Sequence, residues 1–281
     1  MEIYNQIQPL KNHLAKIKTE NKRIGFVPTM GALHKGHITL INKSVAETDI
    51  TVASIFVNPN QFNNISDLNK YPRTLDADIQ MLLEAGCSIV FVPEVSEMYP
   101  VPDTRTFQFG ILDEVMEGKF RPGHFNGVAQ IVSKLFDIVE PDYAYFGEKD
   151  FQQLAVIKKM VTDYMPYLKT TIIGCPIVRE SDGLAMSSRN MRLNPEQRNR
   201  AGFISEILLK AKEMAKNNSV VQVKEFVITS ITTDAHFSLE YFEIVNTETF
   251  LPVDKFTFNR NIIACIAVII GDIRLIDNIT F

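Results

Sequence analysis

Residues 23–37 decide the fold of this chain, and they read Arg23-Ile24-Gly25-Phe26-Val27-Pro28-Thr29-Met30-Gly31-Ala32-Leu33-His34-Lys35-Gly36-His37. Residues 23–27 form a short apolar run that Pro28 ends, which is typical of a buried strand. Apolar residues then recur at helical spacing, at Ile38, Ile41 and Val45. The stretch therefore predicts a strand, a turn and a helix, with two histidines in the turn and in the first turn of the helix.

This turn is suited to binding phosphate. Free backbone N–H groups and the positive end of the helix dipole converge at a helix start, and both favour negative charge. Imidazole adds a hydrogen-bond donor whose charge can change near neutral pH. Gly31 and Gly36 lack side chains, so a base or a phosphate can approach the backbone closely. The competing interpretation is a pair of ordinary surface or core histidines.

Short apolar runs alternate with helical patterns as far as residue 175, which is typical of a doubly wound parallel α/β sheet. Further strands are predicted at residues 50–57, 88–92, 143–146 and 170–173. In such a sheet, ligands bind beyond the carboxyl ends of the strands. We therefore predict a Rossmann-like domain over residues 1–175 with a site at that edge.

The character of the sequence changes after residue 189. Asn194 is a predicted N-cap with Pro195 at the first helical position, opening a helix to about residue 216. A second helical pattern ends near residue 231, and residues 239–245, 262–270 and 273–279 are predicted antiparallel strands. We predict a smaller α+β lid domain over residues 176–281, with its boundary between residues 174 and 181.

Composition excludes several classes of function. The chain of 281 residues has a net charge of −4, so it lacks the basic field that holds nucleic-acid phosphates. Residues 262–270 are the longest apolar run, too short for the about 20 residues that span a bilayer. The first ten residues do not resemble a secretory signal, and the three scattered cysteines fit reduced core residues. We expect a cytoplasmic protein with no membrane or nucleic-acid partner.

Polar segments follow most of the predicted strands. Asn58 and Gln61 lie in a segment whose amides can both donate and accept hydrogen bonds, although a simple Asn-Pro turn also explains it. Thr74 could cap a helix whose first turn carries Asp78, and helix stabilisation alone accounts for that acid. Lys149 follows another strand and could track phosphate charge during a displacement, or belong to a surface Glu-Lys-Asp cluster.

Two further segments have polar side chains in loops. Arg121 and His124 precede the long helical pattern of residues 128–139, and loop geometry with capping by Asn126 is a sufficient explanation for them. Residues 183–190 end in Ser-Ser-Arg-Asn, where two hydroxyls and a guanidinium could clamp a phosphate. We find no fixed-spacing metal cluster and no internal repeat in the sequence.

Residues 28–37 resemble the HIGH element of the nucleotidylyltransferase superfamily. Over all ten residues they are similar to the pantoate–β-alanine ligase family. Five further segments resemble the same family in the same order, at residues 56–62, 71–78, 120–127, 145–153 and 183–190. The resemblance covers most of residues 23–190. Two positions depart from it: Ala77 stands where members often have a second acid, and Arg189 stands where the superfamily's KMSKS loop usually has lysine.

The resemblance implies a set of site residues. For ATP it implies Met30, Gly31, Ala32, Leu33, His34, Lys35, Gly36, His37, Gly147, Glu148, Lys149, Asp150, Val178, Met186, Ser187, Ser188 and Arg189. The catalytic residues among them are His34, His37, Lys149, Ser187, Ser188 and Arg189. For pantoate and β-alanine it implies Asn58, Gln61 and Gln153, and for Mg²⁺ it implies Asp78.

The resemblance also implies a reaction. ATP would activate (R)-pantoate as pantoyl adenylate, and β-alanine would then displace AMP to give pantothenate. It further implies a homodimer. Two alternatives stay open: a nucleotidylyltransferase that acts on a phosphate-bearing acceptor, whose site should be richer in arginine and lysine, and a nucleotide-sensing module that binds ATP without releasing pyrophosphate.

Overall fold

The computed structural model describes residues 1–257 and 261–281. The chain forms two compact units. The first comprises Met1–Asp113 with Glu117–Pro176, and the second comprises Glu114–Met116 with Ile177–Phe281. The functions predicted for the two domains, nucleotide binding for residues 1–175 and a lid for residues 176–281, stay predictions.

The first unit contains a six-stranded sheet in which all strands are parallel. Its strands are β1 Glu2–Tyr4, β2 Ile24–Thr29, β3 Ile50–Ile55, β4 Ile89–Phe91, β5 Tyr143–Gly147 and β6 Thr171–Cys175, in the order β1-β4-β3-β2-β5-β6. The predicted doubly wound sheet is confirmed. The chain runs outward from β2 through β3 to β4 and then crosses to β5, so the strand order reverses between β2 and β5, where such sheets bind ligands.

Helices lie between these strands along the chain. They are α1 Ile7–Thr19, α2 Lys35–Glu47, α3 Ile65–Asn69, α4 Leu75–Glu84, α5 Val95–Met98, α6 Ile111–Glu114, α7 Met116–Phe120, α8 His124–Val139 and α9 Phe151–Tyr164. Short 3-10 turns follow β3 and β5, at Pro59–Gln61 and Glu148–Asp150. The apolar residues of α8 are buried as predicted, and Glu140, in a left-handed conformation before Pro141, ends the helix.

The second unit contains α10 Pro195–Ala201, α11 Phe203–Met214 and α12 Val220–Thr232, followed by an antiparallel sheet of β7 Phe237–Asn246, β8 Ile262–Ile270 and β9 Ile273–Thr280. The predicted cap at Asn194 is confirmed, because its side chain and that of Gln197 bond each other's backbone N–H. The single helix predicted to about residue 216 is interrupted at one residue, Gly202, whose backbone keeps helical angles (φ −59°, ψ −23°), and α11 ends at Met214.

Two further observations concern the described ranges. None of their helices is both long enough and apolar enough to cross a bilayer. Cys87, Cys175 and Cys265 are all buried and unbridged, as the sequence predicts. Each packs as a small apolar side chain.

Candidate active site

Residues 30–37, here called the histidine loop, connect β2 to α2. Gly31 has φ +78° and Ala32 has φ +50°, so two consecutive residues adopt the left-handed conformation. A Cβ on Gly31 would lie 3.0 Å from an Asp78 carboxylate oxygen and 3.1 Å from the Ile55 side chain. Glycine is therefore needed at residue 31, while Ala32 holds a conformation that costs about 1–2 kcal/mol for a residue with a side chain.

Asp78 of α4 holds this conformation in place. Its side chain is only 2% exposed. The Ala32 N–H donates to Oδ2 at 2.9 Å, and the Leu33 N–H donates to Oδ1 at 2.8 Å. The Thr74 hydroxyl donates to the same Oδ1 at 3.0 Å, so Thr74 supports the carboxylate and does not cap α4 with its side chain. The buried carboxylate therefore compensates the strained backbone with charge-assisted hydrogen bonds.

These bonds correct one expectation from the sequence, which predicts that the backbone N–H groups of the turn are free for phosphate. In the structure the N–H groups of Ala32 and Leu33 are bonded to Asp78, and that of Gly31 donates to the Thr29 hydroxyl at 3.2 Å. The N–H groups of His34 and Gly36 donate to imidazole nitrogens. Phosphate recognition at this loop thus falls mainly to side chains.

The two imidazoles are arranged by these same bonds. His34 is the N-cap of α2, and its Nδ1 accepts from the Gly36 N–H at 3.1 Å. The Nδ1 of His37 accepts from the His34 N–H at 3.3 Å, and the ring centroids lie 4.0 Å apart. Because Nδ1 accepts in both rings, the proton of each neutral imidazole is on Nε2. The loop therefore presents two adjacent Nε2–H donors.

The surroundings of both histidines favour the neutral imidazole. Burial, with help from the nearby Lys149 ammonium, lowers the pKa of His34 from 6.5 to about 4. Burial, the His34 ring and Lys149 also hold the pKa of His37 well below 6.5. Both pKa shifts, together with the Nδ1 hydrogen bonds, favour the neutral imidazole over the adjustable charge that the sequence suggests. Positive charge at this edge comes instead from Lys149.

Lys149 lies in the 3-10 turn after β5, next to β2 in the sheet. Its effect on both histidine pKa values places its ammonium on their side of the sheet edge. Its Nζ lies 3.9 Å from an Asp150 carboxylate oxygen, too far for a tight hydrogen bond. Gly147 ends β5, and a Cβ built there would meet no atom within 4 Å. The backbone beside Lys149 thus borders open space.

The segment after β3 brings amide groups to the same edge. The Gln61 amide donates from Nε2 to the Met30 sulfur at 2.9 Å, which joins this turn to the histidine loop. Asn58 is only 1% exposed, and its Nδ2 donates to the Gly127 carbonyl at 3.0 Å and to Gln61 Oε1 at 3.4 Å. The Tyr99 hydroxyl donates to Asn58 Oδ1 at 2.8 Å. Asn58 therefore helps to hold the Gln61 amide, while a contact between Asn58 itself and the substrate stays a prediction.

Adjacent glutamines in α9 have different surroundings. Gln152 is buried, with Nε2 donating to the Leu112 carbonyl at 2.7 Å and Oε1 accepting from the Glu117 N–H at 3.0 Å. Gln153 is half-buried in the first turn of the helix. The sequence singles out Gln153, and the structure gives Gln152 the structural role.

Five predicted ATP residues belong to the second unit. Val178 and Met186 pair through a Met186 N–H to Val178 carbonyl bond of 2.9 Å. The Ser187 hydroxyl caps the 3-10 turn Ser188–Arg192 by accepting from the Arg189 N–H, and Ser188 is buried. The structure thus brings together Val178 and Met186 across a hairpin and places the other three residues at its end.

Sequence reasoning missed the ion pair that anchors this hairpin. Arg179 donates from two guanidinium nitrogens to the buried Asp277 carboxylate, at 2.7 and 3.0 Å. It also donates to the carbonyls of Gly183 and Asn278. A bidentate pair of this kind fixes orientation as well as position. The two residues are 98 positions apart, and no spacing in the sequence links them, so no signal could have found the pair.

A metal site is not evident from the donor set. Among residues 1–257 and 261–281 there is no group of three or more His, Cys, Asp or Glu side chains that could hold an ion. Asp78, the predicted Mg²⁺ ligand, uses both oxygens to hold the histidine loop. These residues do not fit a metal bound mainly by protein ligands.

The whole chain is similar to known proteins. Residues 2–280 match the family described as pantoate-beta-alanine ligase. The pantothenate synthetase of Porphyromonas gingivalis is 54% identical over 100% of this chain and 99% of that protein, and that of Cytophaga hutchinsonii is 46% identical over 97% and 96%.

Solved structures agree with the sequence comparisons. The pantothenate synthetase of Thermus thermophilus superposes with a TM-score of 0.92 at 40% identity, covering 99% of each chain. The pantoate-beta-alanine ligase of Francisella tularensis, complexed with beta-gamma ATP and beta-alanine, superposes with a TM-score of 0.84 at 35% identity, covering 100% of this chain and 97% of that one. The chain belongs to the pantoate–β-alanine ligase family.

Proposed function

We propose that this protein condenses (R)-pantoate with β-alanine to give pantothenate, through a pantoyl adenylate formed from ATP. One observation carries the proposal: three neighbouring strand ends bring a pair of neutral imidazole donors, an ammonium and a neutral amide to one edge of the sheet. The imidazoles and the ammonium suit a polyphosphate, and the amides suit a hydroxy acid. Family membership supports the same reaction.

The first step is displacement at the α-phosphorus of ATP. A pantoate carboxylate oxygen forms a bond to phosphorus, the bond between phosphorus and the α–β bridging oxygen breaks, and pyrophosphate leaves. Charge builds on the phosphate oxygens during this step. His34 and His37 donate Nε2–H bonds to that charge, and the Lys149 ammonium follows it. Prearranged donors of this kind contribute to rate because they need no reorganisation when the charge develops.

ATP contacts beyond these three residues follow from the resemblance. We assign the ribose to Gly147 and Asp150 and the nucleotide more broadly to Glu148, Met30 and Lys35. Gly31, Ala32, Leu33 and Gly36 shape the histidine loop around it. Val178, Met186, Ser187, Ser188 and Arg189 complete the assigned contacts, with the last three on the phosphates.

Gln61 and Gln153 hold the hydroxy acid. Neutral amides can donate to the carboxylate and accept from the hydroxyls without adding charge to the site. This leaves the carboxylate free to act as the nucleophile of the first step. Gln61, beside Met30, places the acid next to the histidine loop.

The second step forms the amide. The free amine of β-alanine attacks the acyl carbon of pantoyl adenylate, the bond from that carbon to the phosphate oxygen breaks, and AMP leaves as the nitrogen loses a proton. Holding both reactants in line supplies much of the rate, since effective molarities of about 10⁵ M or more come from positioning alone. No covalent bond to the enzyme is required.

We propose that Mg²⁺ binds together with ATP. The ion keeps most of its ligands as water and phosphate oxygens, so it needs few protein ligands. When bound, it would neutralise phosphate charge. Both Asp78 oxygens accept from the histidine loop, so the role of Asp78 in the reaction is to hold that loop.

We also propose a cytoplasmic homodimer. The resemblance supports the homodimer, and the three buried, unbridged cysteines support a reducing compartment. A dimer has twice the 31.9 kDa of the chain, so light scattering distinguishes it directly from a monomer. A mass near that of one chain would overturn the oligomeric proposal without touching the reaction.

Product analysis tests the reaction. The protein is incubated with ATP, Mg²⁺ and (R)-pantoate, with and without β-alanine, and the products are identified by mass spectrometry. Pantothenate and AMP in equal amounts only when β-alanine is present, with pantoyl adenylate retained on the protein when it is absent, are expected. ATP bound without pyrophosphate release in either case would overturn the ligase function.

A further inference from the structure

His124 lies directly beneath the turn that carries Gln61. Its side chain is 5% exposed, at the first position of α8. We propose that His124 is a positioning residue that holds Gln61 in its binding orientation and so sets the affinity for the hydroxy acid. The inference rests on the proposed function of Gln61 as a ligand of that acid.

Two hydrogen bonds fix the His124 ring. Its Nδ1 lies 2.8 Å from the Gln61 carbonyl oxygen, and since a carbonyl only accepts, Nδ1 carries the proton. Its Nε2 lies 3.0 Å from a guanidinium nitrogen of Arg121, which only donates, so Nε2 accepts. The ring is therefore neutral, with a single tautomer defined from both sides. This tautomer is opposite to that of the two histidines in the loop.

Arg121 is itself held in place. Its guanidinium lies 3.4 Å from a Glu117 carboxylate oxygen one helical turn earlier, and both side chains are largely buried. The His124 N–H also donates to the Arg121 carbonyl at 3.0 Å. A buried ion pair that orients a neutral ring makes a rigid support, because each side chain is locked by the next.

Helix α8 touches the same turn at a second point. A Cβ on Gly127 would lie 2.3 Å from the Asn60 carbonyl oxygen and 2.7 Å from the Gln61 Cα, so helix and turn are in backbone contact. The Asn58 amide donates to the Gly127 carbonyl across the same contact. The turn is thus tied to α8 by three bonds: to the side chain of His124, to the backbone of Gly127 and, from the Asn60 amide, to the side chain of Gln130.

The Gln61 amide is oriented within this frame. Its Oε1 accepts from Asn58 and its Nε2 donates to Met30. Glutamine loses about 1.5–2 kcal/mol of side-chain freedom when it is fixed. His124 holds the backbone of Gln61, and Asn58 and Met30 hold its amide before the acid arrives, so less of that cost falls on binding. Loss of the support should therefore raise the KM for pantoate and leave the KM for ATP unchanged.

Two substitutions at His124 separate its two bonds. In His124→Asn the side-chain amide nitrogen can replace Nδ1 and keep the bond to Gln61. In His124→Gln the amide reaches the place of Nε2, which keeps the Arg121 contact and loses the bond to Gln61. We expect His124→Gln to raise the pantoate KM by about 10-fold, the loss of one hydrogen bond, and His124→Asn to restore most of the affinity.

Steady-state pyrophosphate release, with pantoate and ATP varied separately, measures both constants, and a melting temperature accompanies each variant. Equal pantoate KM values in the two variants, or an equal rise in the ATP KM, would overturn the positioning role. If His124→Gln does not fold, Arg121→Met removes the donor that fixes His124 Nε2 and tests the same support; an unchanged pantoate KM there would also overturn it.

The double variant Gln61→Ala with His124→Gln separates this inference from the proposed function. If His124 acts through Gln61, the pantoate KM of the double variant equals that of Gln61→Ala alone. An additional rise in the double variant contradicts action through Gln61. By contrast, an active wild type whose pantoate KM is indifferent to Gln61→Ala would contradict the proposed role of Gln61 itself.

Discussion

The histidine loop and the turn Pro59–Gln61 follow neighbouring strands, yet they are held in different ways. The loop has two left-handed residues and depends on one buried carboxylate, Asp78, that accepts from its backbone. The turn is held by neutral groups, through Asn58 and His124. The difference matches the ligand proposed for each region, which is a polyphosphate at the histidine loop and a small hydroxy acid at the turn.

This contrast predicts different kinetic effects. The two imidazoles of the loop are donors to charge that develops in the transition state, so their loss should lower kcat. The amides near the turn bind a group whose contacts are present before reaction, so their loss should raise KM. Substitutions in the two regions should therefore separate effects on kcat from effects on KM.

Substitution of His37 should have the largest effect. His37→Ala removes an Nε2–H donor, and we expect adenylate formation to fall by about 10²–10³-fold or more, as for loss of an oxyanion donor. His37→Asn is the matched control for the fold, because its side-chain oxygen can still accept from the His34 N–H. Both variants should be inactive in pyrophosphate release. A stable His37→Ala protein with undiminished release would contradict the role.

Asp78→Asn should have the next largest effect. One carboxylate oxygen becomes an NH₂ group that faces a backbone donor of the loop, so a buried N–H loses its acceptor. We expect a loss of about 1–3 kcal/mol in the free energy of unfolding, with slower adenylation. Urea denaturation measures the first quantity and pyrophosphate release the second.

Asp76→Asn is the control for Asp78→Asn, because Asp76 is an exposed acid in the same helical turn. It should change stability by no more than about 0.5 kcal/mol. The competing role for Asp78, as a ligand of Mg²⁺, makes a different prediction: excess Mg²⁺ would restore activity and the free energy of unfolding would be unchanged. That result would assign Asp78 to the metal.

Asp78 also marks the limit of what the sequence predicts. Apolar periodicity in α4 predicts Leu75 and Leu83 as part of its inner face, but both are exposed, and Asp78 is buried with Leu82. A carboxylate can replace an apolar side chain on the inner face when backbone donors meet it there. Those donors come from a loop 45 and 46 residues away in the sequence, so no local pattern reveals them.

The strands that precede the site residues could be predicted from the sequence. Parallel strands are buried on both faces, so they are continuous apolar runs, and β2, β3 and β5 were each predicted within a few residues. Strand β1 was missed because three residues give no period. Motif order located His34, His37 and Lys149, whereas the neutral state of the two imidazoles depends on burial and on the nearby ammonium.

Gln153→Ala tests the proposed contact with pantoate, and its expected effect is smaller. Loss of one amide contact to a charged substrate should raise the pantoate KM by about 10-fold or somewhat more, with little change in the ATP KM or melting temperature. Gln152→Ala is the contrasting neighbour: it removes two structural hydrogen bonds, so it should lower stability more than pantoate affinity. A raised ATP KM in Gln153→Ala would place residue 153 on the nucleotide side.

Gly147→Ala should have the smallest effect, and it tests the proposed contact between Gly147 and the ribose of ATP. Gly147 has φ −75°, which alanine adopts without strain, and an added Cβ meets no protein atom within 4 Å. Alanine should therefore stabilise the protein by about 0.4–1 kcal/mol through the unfolded state. Gly127→Ala is the opposite case, because its Cβ would collide with the backbone at Asn60.

If the ribose packs against the backbone at Gly147, the same methyl group occupies space that ATP needs. The ATP KM should then rise several-fold while the melting temperature is unchanged or higher and the pantoate KM stays constant. Gly127→Ala should instead raise the pantoate KM and lower the melting temperature. An unchanged ATP KM in a stable Gly147→Ala protein would remove Gly147 from the ribose site, and a rise in the pantoate KM alone would show that the acid side extends to β5.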